Sequence, residues 1–206
     1  MRAANDFDAQ FFRRADTTSD EFFYQFPRLL THIDDAAIAA VGALYEELQL
    51  TGRVLDLMGS WISHFLREPD GLVVLGLNDI ELRANDQSRG GIVHDLNALP
   101  TLPLRDMCFD GATCCVSVDY LVRPVEVFSE VARVLRPGAP FVCTFSNRCF
   151  PTKAIDGWLS ASDDEHCEIV AEYFRQAAGY GEPVISRRTP SGHRGDPLFG
   201  VWAAKL

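Results

Sequence analysis

Arg53-Val54-Leu55-Asp56-Leu57-Met58-Gly59-Ser60 decides the fold of this chain. A short apolar run stands behind Thr51-Gly52, carries an acid near its end, and breaks at a glycine and a serine. Four more runs follow, at Gly71 to Gly76, Gly91 to Val93, Phe109 to Val118 and Pro140 to Ser146. Runs that are apolar on successive residues suit strands buried on both faces, as in a parallel sheet covered by helices. Helical patterns lie between and around them. The clearest is Pro124 to Leu135, with Val125, Val127, Phe128, Val131 and Val134 on one side, Pro124 in the first turn and Arg136-Pro137-Gly138 as the stop. Ala36 to Leu50 opens on Asp34-Asp35, where the helix dipole favours acids, and a further helix runs from Asp163 to Ala178. Val184 to Arg188 and Leu198 to Ala204 read as two last strands in a hairpin-like return. The order predicts an α/β, Rossmann-like doubly wound domain over residues 34–206: a mainly parallel seven-stranded sheet with helices on both faces and a C-terminal antiparallel strand. Residues 1–33 read as an aromatic, charged N-terminal arm or lid, because Phe7, Phe11, Phe12, Phe22, Phe23, Tyr24 and Phe26 must pack on something.

Composition narrows the function classes. The 206 residues are 47% apolar and 23% charged, the profile of one globular domain with a core of its own. Against 29 acids stand 19 basic residues, a formal charge of −10, which repels phosphate backbones and anionic lipid. No nucleic-acid or membrane partner is expected. The six cysteines form no CxxC pair and sit mostly in apolar stretches, as small buried hydrophobes do in a reducing compartment. With no apolar leader at the N-terminus, a cytoplasmic location is expected. His64, His94, His166 and His193 lack ligand spacing, so no metal is expected.

In a doubly wound sheet the ligand crevice lies outside the carboxyl ends of the strands, where strand order reverses. The four successive strand ends carry Asp56; Asn78 and Glu81; His94, Asp95 and Asn97; and Ser117, Asp119 and Tyr120. Each has a plain structural alternative. Asp56 can cap the next turn, Asn78-x-x-Glu81 is a helix-capping signature, and Asp95-Leu96-Asn97 before Pro100 can be a surface turn. A nicotinamide cofactor would want GxGxxG after the first strand, which Met58 to Ile62 does not provide.

Taken in order, Leu55-Asp56-Leu57, Gly76-Leu77-Asn78, Asp95, Phe109-Asp110-Gly111 and Val134-Leu135-Arg136-Pro137-Gly138 resemble the motif set of class I S-adenosylmethionine-dependent methyltransferases, in their small-molecule type 11 branch. The resemblance covers residues 34–147. It implies S-adenosyl-L-methionine as cofactor, S-adenosyl-L-homocysteine as product, and methyl transfer to a small-molecule acceptor. Asp56, Leu57, Met58, Gly59 and Ser60 would face the cofactor's methionine end, Asn78 the ribose, Asp95 and Leu96 the adenine, and Val116, Ser117 and Val118 the wall beside the sulfonium. His32, Asp119 and Tyr120 are candidates for a general base, and Arg28, Asn147 and Arg148 for substrate contact. His32 has a structural alternative as well. The chain departs from the family where acid-x-Gly-x-Gly-x-Gly becomes Asp56-Leu57-Met58-Gly59-Ser60-Trp61-Ile62. Glycines there let the backbone approach a ligand closely and adopt positive φ; Met58 and Trp61 cannot do both, although Ser60 is small enough to substitute in part and the helix expected after it can still offer N–H groups to a carboxylate. A non-catalytic relative that binds a partner is the alternative function. Oligomeric state is not assigned.

Overall fold

The computed structural model describes residues 7–190 and 192–206; residues 1–6 of the expected arm lie outside the described residues. Helix α1 (Asp20–Phe23) belongs to the arm and α2 (Asp35–Glu47) opens the domain. Asp34 starts α2, its carboxylate accepting from the Ala37 amide at 2.9 Å. Then come β1 (Arg53–Leu57), β2 (Gly71–Gly76), α3 (Asp79–Ala84), β3 (Ser88–Val93) and β4 (Gly111–Cys115). A 3₁₀ turn at Val118–Tyr120 precedes α4 (Pro124–Val134), β5 (Pro140–Phe145), α5 (Asp156–Leu159), α6 (Asp163–Gln176), β6 (Val184–Arg187) and β7 (Phe199–Ala204).

The seven strands form one sheet in the order β3-β2-β1-β4-β5-β7-β6. Strands β1 to β5 pair in parallel, and β7 runs antiparallel to both its neighbours. The sheet is doubly wound, as the sequence predicts. Alternate strand residues feed two cores. Val54, Leu72, Val74 and Val142 pack with Leu44, Tyr45 and Val41 of α2 and Leu82 of α3. Leu55, Leu57, Phe141 and Cys143 pack on the opposite face with Phe128 and Val131 of α4 and Tyr173 and Phe174 of α6. Complete burial of a side chain such as Leu44 contributes about 1.5–3 kcal/mol.

Three expectations need correction. The run Phe109 to Val118 is a strand only over Gly111–Cys115. Val116 turns the chain at φ 47°, a left-handed conformation costly for a β-branched residue. Val116 and Ser117 therefore lie past the strand end, and Val118 is buried beneath them. Second, β3 begins at Ser88, earlier than Gly91: it is the sheet's outer strand, with one edge in water, so the polar Ser88 and Arg89 fit there.

Third, residues 58–70 form no helix, so no helix N-terminus follows Ser60. Left-handed backbone at Met58 (φ 52°) and His64 (φ 59°) interrupts any helical run. Side chains from beyond α3 satisfy this stretch instead. Asn85 Nδ2 donates to the Ser60 carbonyl at 3.0 Å and the Ser63 hydroxyl at 2.8 Å. Gln87 pairs with both backbone groups of Phe65, donating at 2.8 Å and accepting at 3.3 Å.

Candidate active site

Strand order reverses between β1 and β4, and the main cleft lies outside the carboxyl ends of these strands. Its walls come from Asp56 and the loop after it, Gly76 to Asn78, His94 to Asn97, Cys115 to Ser117, Tyr120, Phe150 and the arm. The β1–β4 register sets Asp56 opposite Thr113, whose hydroxyl donates to Asp56 Oδ1 at 2.8 Å. Burial pushes the Asp56 carboxyl up to about 6, opposed by the bonds from Ser63 and Thr113. The following loop lies tight against β2. The Gly59 amide donates to the Leu75 carbonyl at 2.9 Å, and a Cβ on Gly76 would run into the Gly59 carbonyl. Met58 takes positive φ, one of the two things a glycine there would allow, at an intrinsic cost of roughly 1–2 kcal/mol, and the Ser117 hydroxyl donates to its carbonyl at 3.3 Å.

Asn78 realises the capping reading. Its Oδ1 accepts from the Ile80 and Glu81 amides at 3.0 and 3.2 Å, and its Nδ2 donates to the Tyr24 carbonyl of the arm at 2.8 Å. Glu81, which sequence reading saw only as part of a cap, is buried and lines the cleft. It joins two walls: Ser60 Oγ donates to Glu81 Oε2 and the Arg28 amide to Oε1, both at 2.6 Å. Asp95 forms the expected turn, accepting from the amides of Asn97 and Ala98 at 2.8 and 3.2 Å, while also lining the cleft beside buried Leu96.

Segment 7–33 runs across this opening. Phe7, Phe11 and Phe12 pack on the main core near Tyr173, and the Trp61 indole donates to the Leu30 carbonyl at 3.2 Å. Its strongest tie is ionic. Asp20, 5% exposed, accepts from Arg14 at 2.8 and 2.9 Å and from Asn97 at 2.8 Å, and lies 3.1 Å from Lys153 Nζ. Lys153, 1% exposed, also donates to the Thr18 carbonyl at 2.6 Å. Charged residues so far apart along the chain leave no local signal of pairing.

The base candidates separate. His32 lines the cleft at its mouth, with its ring 5.2 Å from that of Phe150, and partial burial lowers its pKa, which favours neutral imidazole near pH 7. Tyr120 lines the cleft too, but its hydroxyl oxygen accepts from the Phe150 amide at 2.8 Å and burial raises its pKa. Asp119 does not line the cleft; it is 2% exposed, and one carboxyl oxygen has no partner. Asn147 and Arg148 are exposed outside the cleft, beside a shallow hollow where Arg148 pairs with Asp196 at 2.7 Å. Arg28 lines the cleft. Among the described residues, no group of three His, Cys, Asp or Glu side chains could hold a metal ion, and no helix is long and apolar enough to cross a membrane.

The architecture recurs among solved structures. A methyltransferase from Aquifex aeolicus, S-adenosylmethionine-dependent, superposes with a TM-score of 0.57 at 16% identity, over 84% of this chain and 94% of that one. A complex containing the Haloferax volcanii Trm112 methyltransferase activator gives 0.56 at 15% identity, covering 81% and 90%. The cyclase SpnF gives 0.59 at 14%, covering 90% and 91%. The chain has a methyltransferase fold. Residues 77–143 also match the family model of the type 11 methyltransferase domain, which bears out the resemblance read from the motifs. The match begins after Gly76, so the glycine-poor loop of this methyltransferase fold lies outside it. No curated protein matches the sequence.

The cleft fits the cofactor this fold implies. Two of its polar atoms, Arg28 Nη1 and His64 Nδ1, are buried without a hydrogen-bond partner, and Asp95 and Leu96 line it just past the end of β3. The amide of Asn78, expected at the ribose, is held by the arm.

Proposed function

We propose that the protein is an S-adenosylmethionine-dependent methyltransferase that passes a methyl group to a small-molecule nucleophile by in-line displacement. The observation that carries this reading is the cleft at the β1/β4 switch point of a methyltransferase fold, lined by Asp56 at the end of β1 and by Asp95 and Leu96 after β3. When bound, S-adenosylmethionine supplies a methyl group already activated by its sulfonium.

The protein's own residues then position the reactants and exclude water. Good alignment alone is worth up to about 7–11 kcal/mol. Asp56, held by Thr113, and Glu81, held by Ser60, fix the loop that meets the methionine end. Leu57, Met58 and Gly59 complete that side, Asp95 and Leu96 frame the adenine, and Val116 and Ser117 form the wall, backed by Val118. Asn78 reaches the ribose when the Tyr24 carbonyl releases it. Residues 7–33 act as a lid over the cleft. For an acceptor protonated at working pH, His32 is the base, since it combines a place in the cleft with a lowered pKa. The small acceptor is supported by the aromatic lid and by the charge of −10, which disfavours a polynucleotide.

A second reading has an observation of its own. Met58, Ser60 and Ile62 replace glycines, no helix follows them, and the arm already holds Asn78. Those features suit a protein that kept the fold and binds a partner without methyl transfer. One structural neighbour is named a cyclase, so the fold alone does not fix the reaction. Incubation with methyl-labelled S-adenosylmethionine and a cell extract separates these readings. Label is expected in the small-molecule fraction. Label confined to macromolecules would contradict the small acceptor, and no transfer despite bound cofactor would favour the second reading.

A further inference from the structure

Arg28 enters the cleft without a counter-ion. Its guanidinium carbon lies 4.6, 5.3 and 5.5 Å from the ring centroids of Phe23, Tyr24 and Phe150. One terminal nitrogen, Nη2, donates to the Phe23 carbonyl at 2.9 Å, while Nη1 is shut off from solvent with no partner. Other arginines of the fold, such as Arg14, Arg133 and Arg148, sit on carboxylates; among the described residues Arg28 has none within ion-pair distance. Glu81, an acid of the same cleft, accepts from the Arg28 backbone and from Ser60 instead of from the guanidinium.

A half-buried cation with one buried, idle donor nitrogen is unfavourable unless something answers it, and the ring faces answer it only in part. A guanidinium is also a rigid, planar fork that matches a carboxylate with two parallel bonds. We infer that Arg28 is the carboxylate-binding residue of the cleft, gripping an acid group of the small molecule held there. Two molecules could bring that group: the methyl acceptor, or the methionine end of the cofactor. The rings of Phe23, Tyr24, Phe150 and His32 around it suit a flat, partly apolar acceptor acid. The inference rests on the proposed cofactor and acceptor site, and its test separates the two.

Calorimetric titration of the wild type, Arg28→Gln and Arg28→Lys is run with three probes: S-adenosylhomocysteine, methylthioadenosine, which lacks the amino-acid carboxylate, and benzoate. Arg28→Gln is expected to lose about tenfold or more of either the advantage of S-adenosylhomocysteine over methylthioadenosine or the affinity for benzoate, and Arg28→Lys to keep part of it. Loss of the first assigns the grip to the cofactor; loss of the second assigns it to the acceptor. A thermal midpoint in Arg28→Gln equal to or above that of the wild type shows that the loss is not unfolding. The inference is overturned if both quantities survive in Arg28→Gln, or if neither carboxylate improves binding to the wild type. Benzoate binding that depends on Arg28, with no binding of either nucleoside, would sink the methyltransferase reading and leave the anion site standing.

Discussion

Asp119→Asn is expected to stabilise the protein by a few kcal/mol at neutral to mildly alkaline pH, with the gain fading as pH falls towards 4. Burial pushes the Asp119 carboxyl up to about 8 from an ordinary 3.8, opposed only in part by its own amide and the Tyr120 side chain. Between those two values the folded protein keeps a proton that the unfolded chain has released. Stability contributed by this group is therefore fully present below the unfolded pKa and is lost as pH rises through the window to about 8. Asp56 acts with the same sign over the narrower window to about 6. At roughly 1.4 kcal/mol per unit the Asp119 effect has an upper bound of about 6 kcal/mol, and the amide brings its own unpartnered donor, which reduces the net gain. Denaturant unfolding of both proteins across this pH range measures it. A variant less stable than wild type at every pH would show that the carboxylate is paired after all.

Asp20→Ala should cost about 3–5 kcal/mol of local stability and release the arm. The loss leaves Arg14 and the buried Lys153 facing each other without the carboxylate between them. Although burial alone would raise the Asp20 pKa, the bonds from Arg14, Asn97 and Lys153 together hold it below the ordinary value. The contribution is thus present above the unfolded carboxylate pKa and lost as pH falls through the lower folded value. Limited trypsin digestion reads the outcome. The variant should be cut after Arg13, Arg14 or Arg28 well before the sheet opens, while the wild type resists. The double variant Asp20→Asn, Lys153→Met should regain part of the protection, because it removes both buried charges. Equal cutting of wild type and Asp20→Ala would mean that the ionic tie does not hold the arm.

The sheet was legible because its signal is local: Val54, Leu55, Leu57 and their counterparts in the later strands are apolar on successive residues, as two-faced burial requires. The caps were legible for the same reason, with Asp34 before α2 and Asn78-x-x-Glu81 before α3. What escaped depends on partners distant in sequence. The loop after Asp56 was expected to lead into a helix, yet it is satisfied by Asn85 and Gln87 from beyond α3, a pairing no spacing rule reveals. Glu81 looked like a capping residue and also turned out to join Ser60 to the arm. Arg148 read as a substrate contact from its place after β5, but Asp196 holds it outside the cleft. Met58 shows the converse case, in which a residue ill suited to left-handed backbone adopts it because the surrounding loop requires the turn.

The central claim is that the cleft at the ends of β1 and β4 binds the cofactor of its fold. Calorimetric titration of the full chain with S-adenosylhomocysteine tests it most directly, with Asp95→Ala as the companion variant. The account predicts saturable binding at one site per chain, weakened in the variant at a temperature where both proteins are folded by circular dichroism, although the loss of the Asn97 and Ala98 amide bonds lowers the variant's melting temperature. No binding heat at millimolar ligand, or binding indifferent to Asp95, would contradict it.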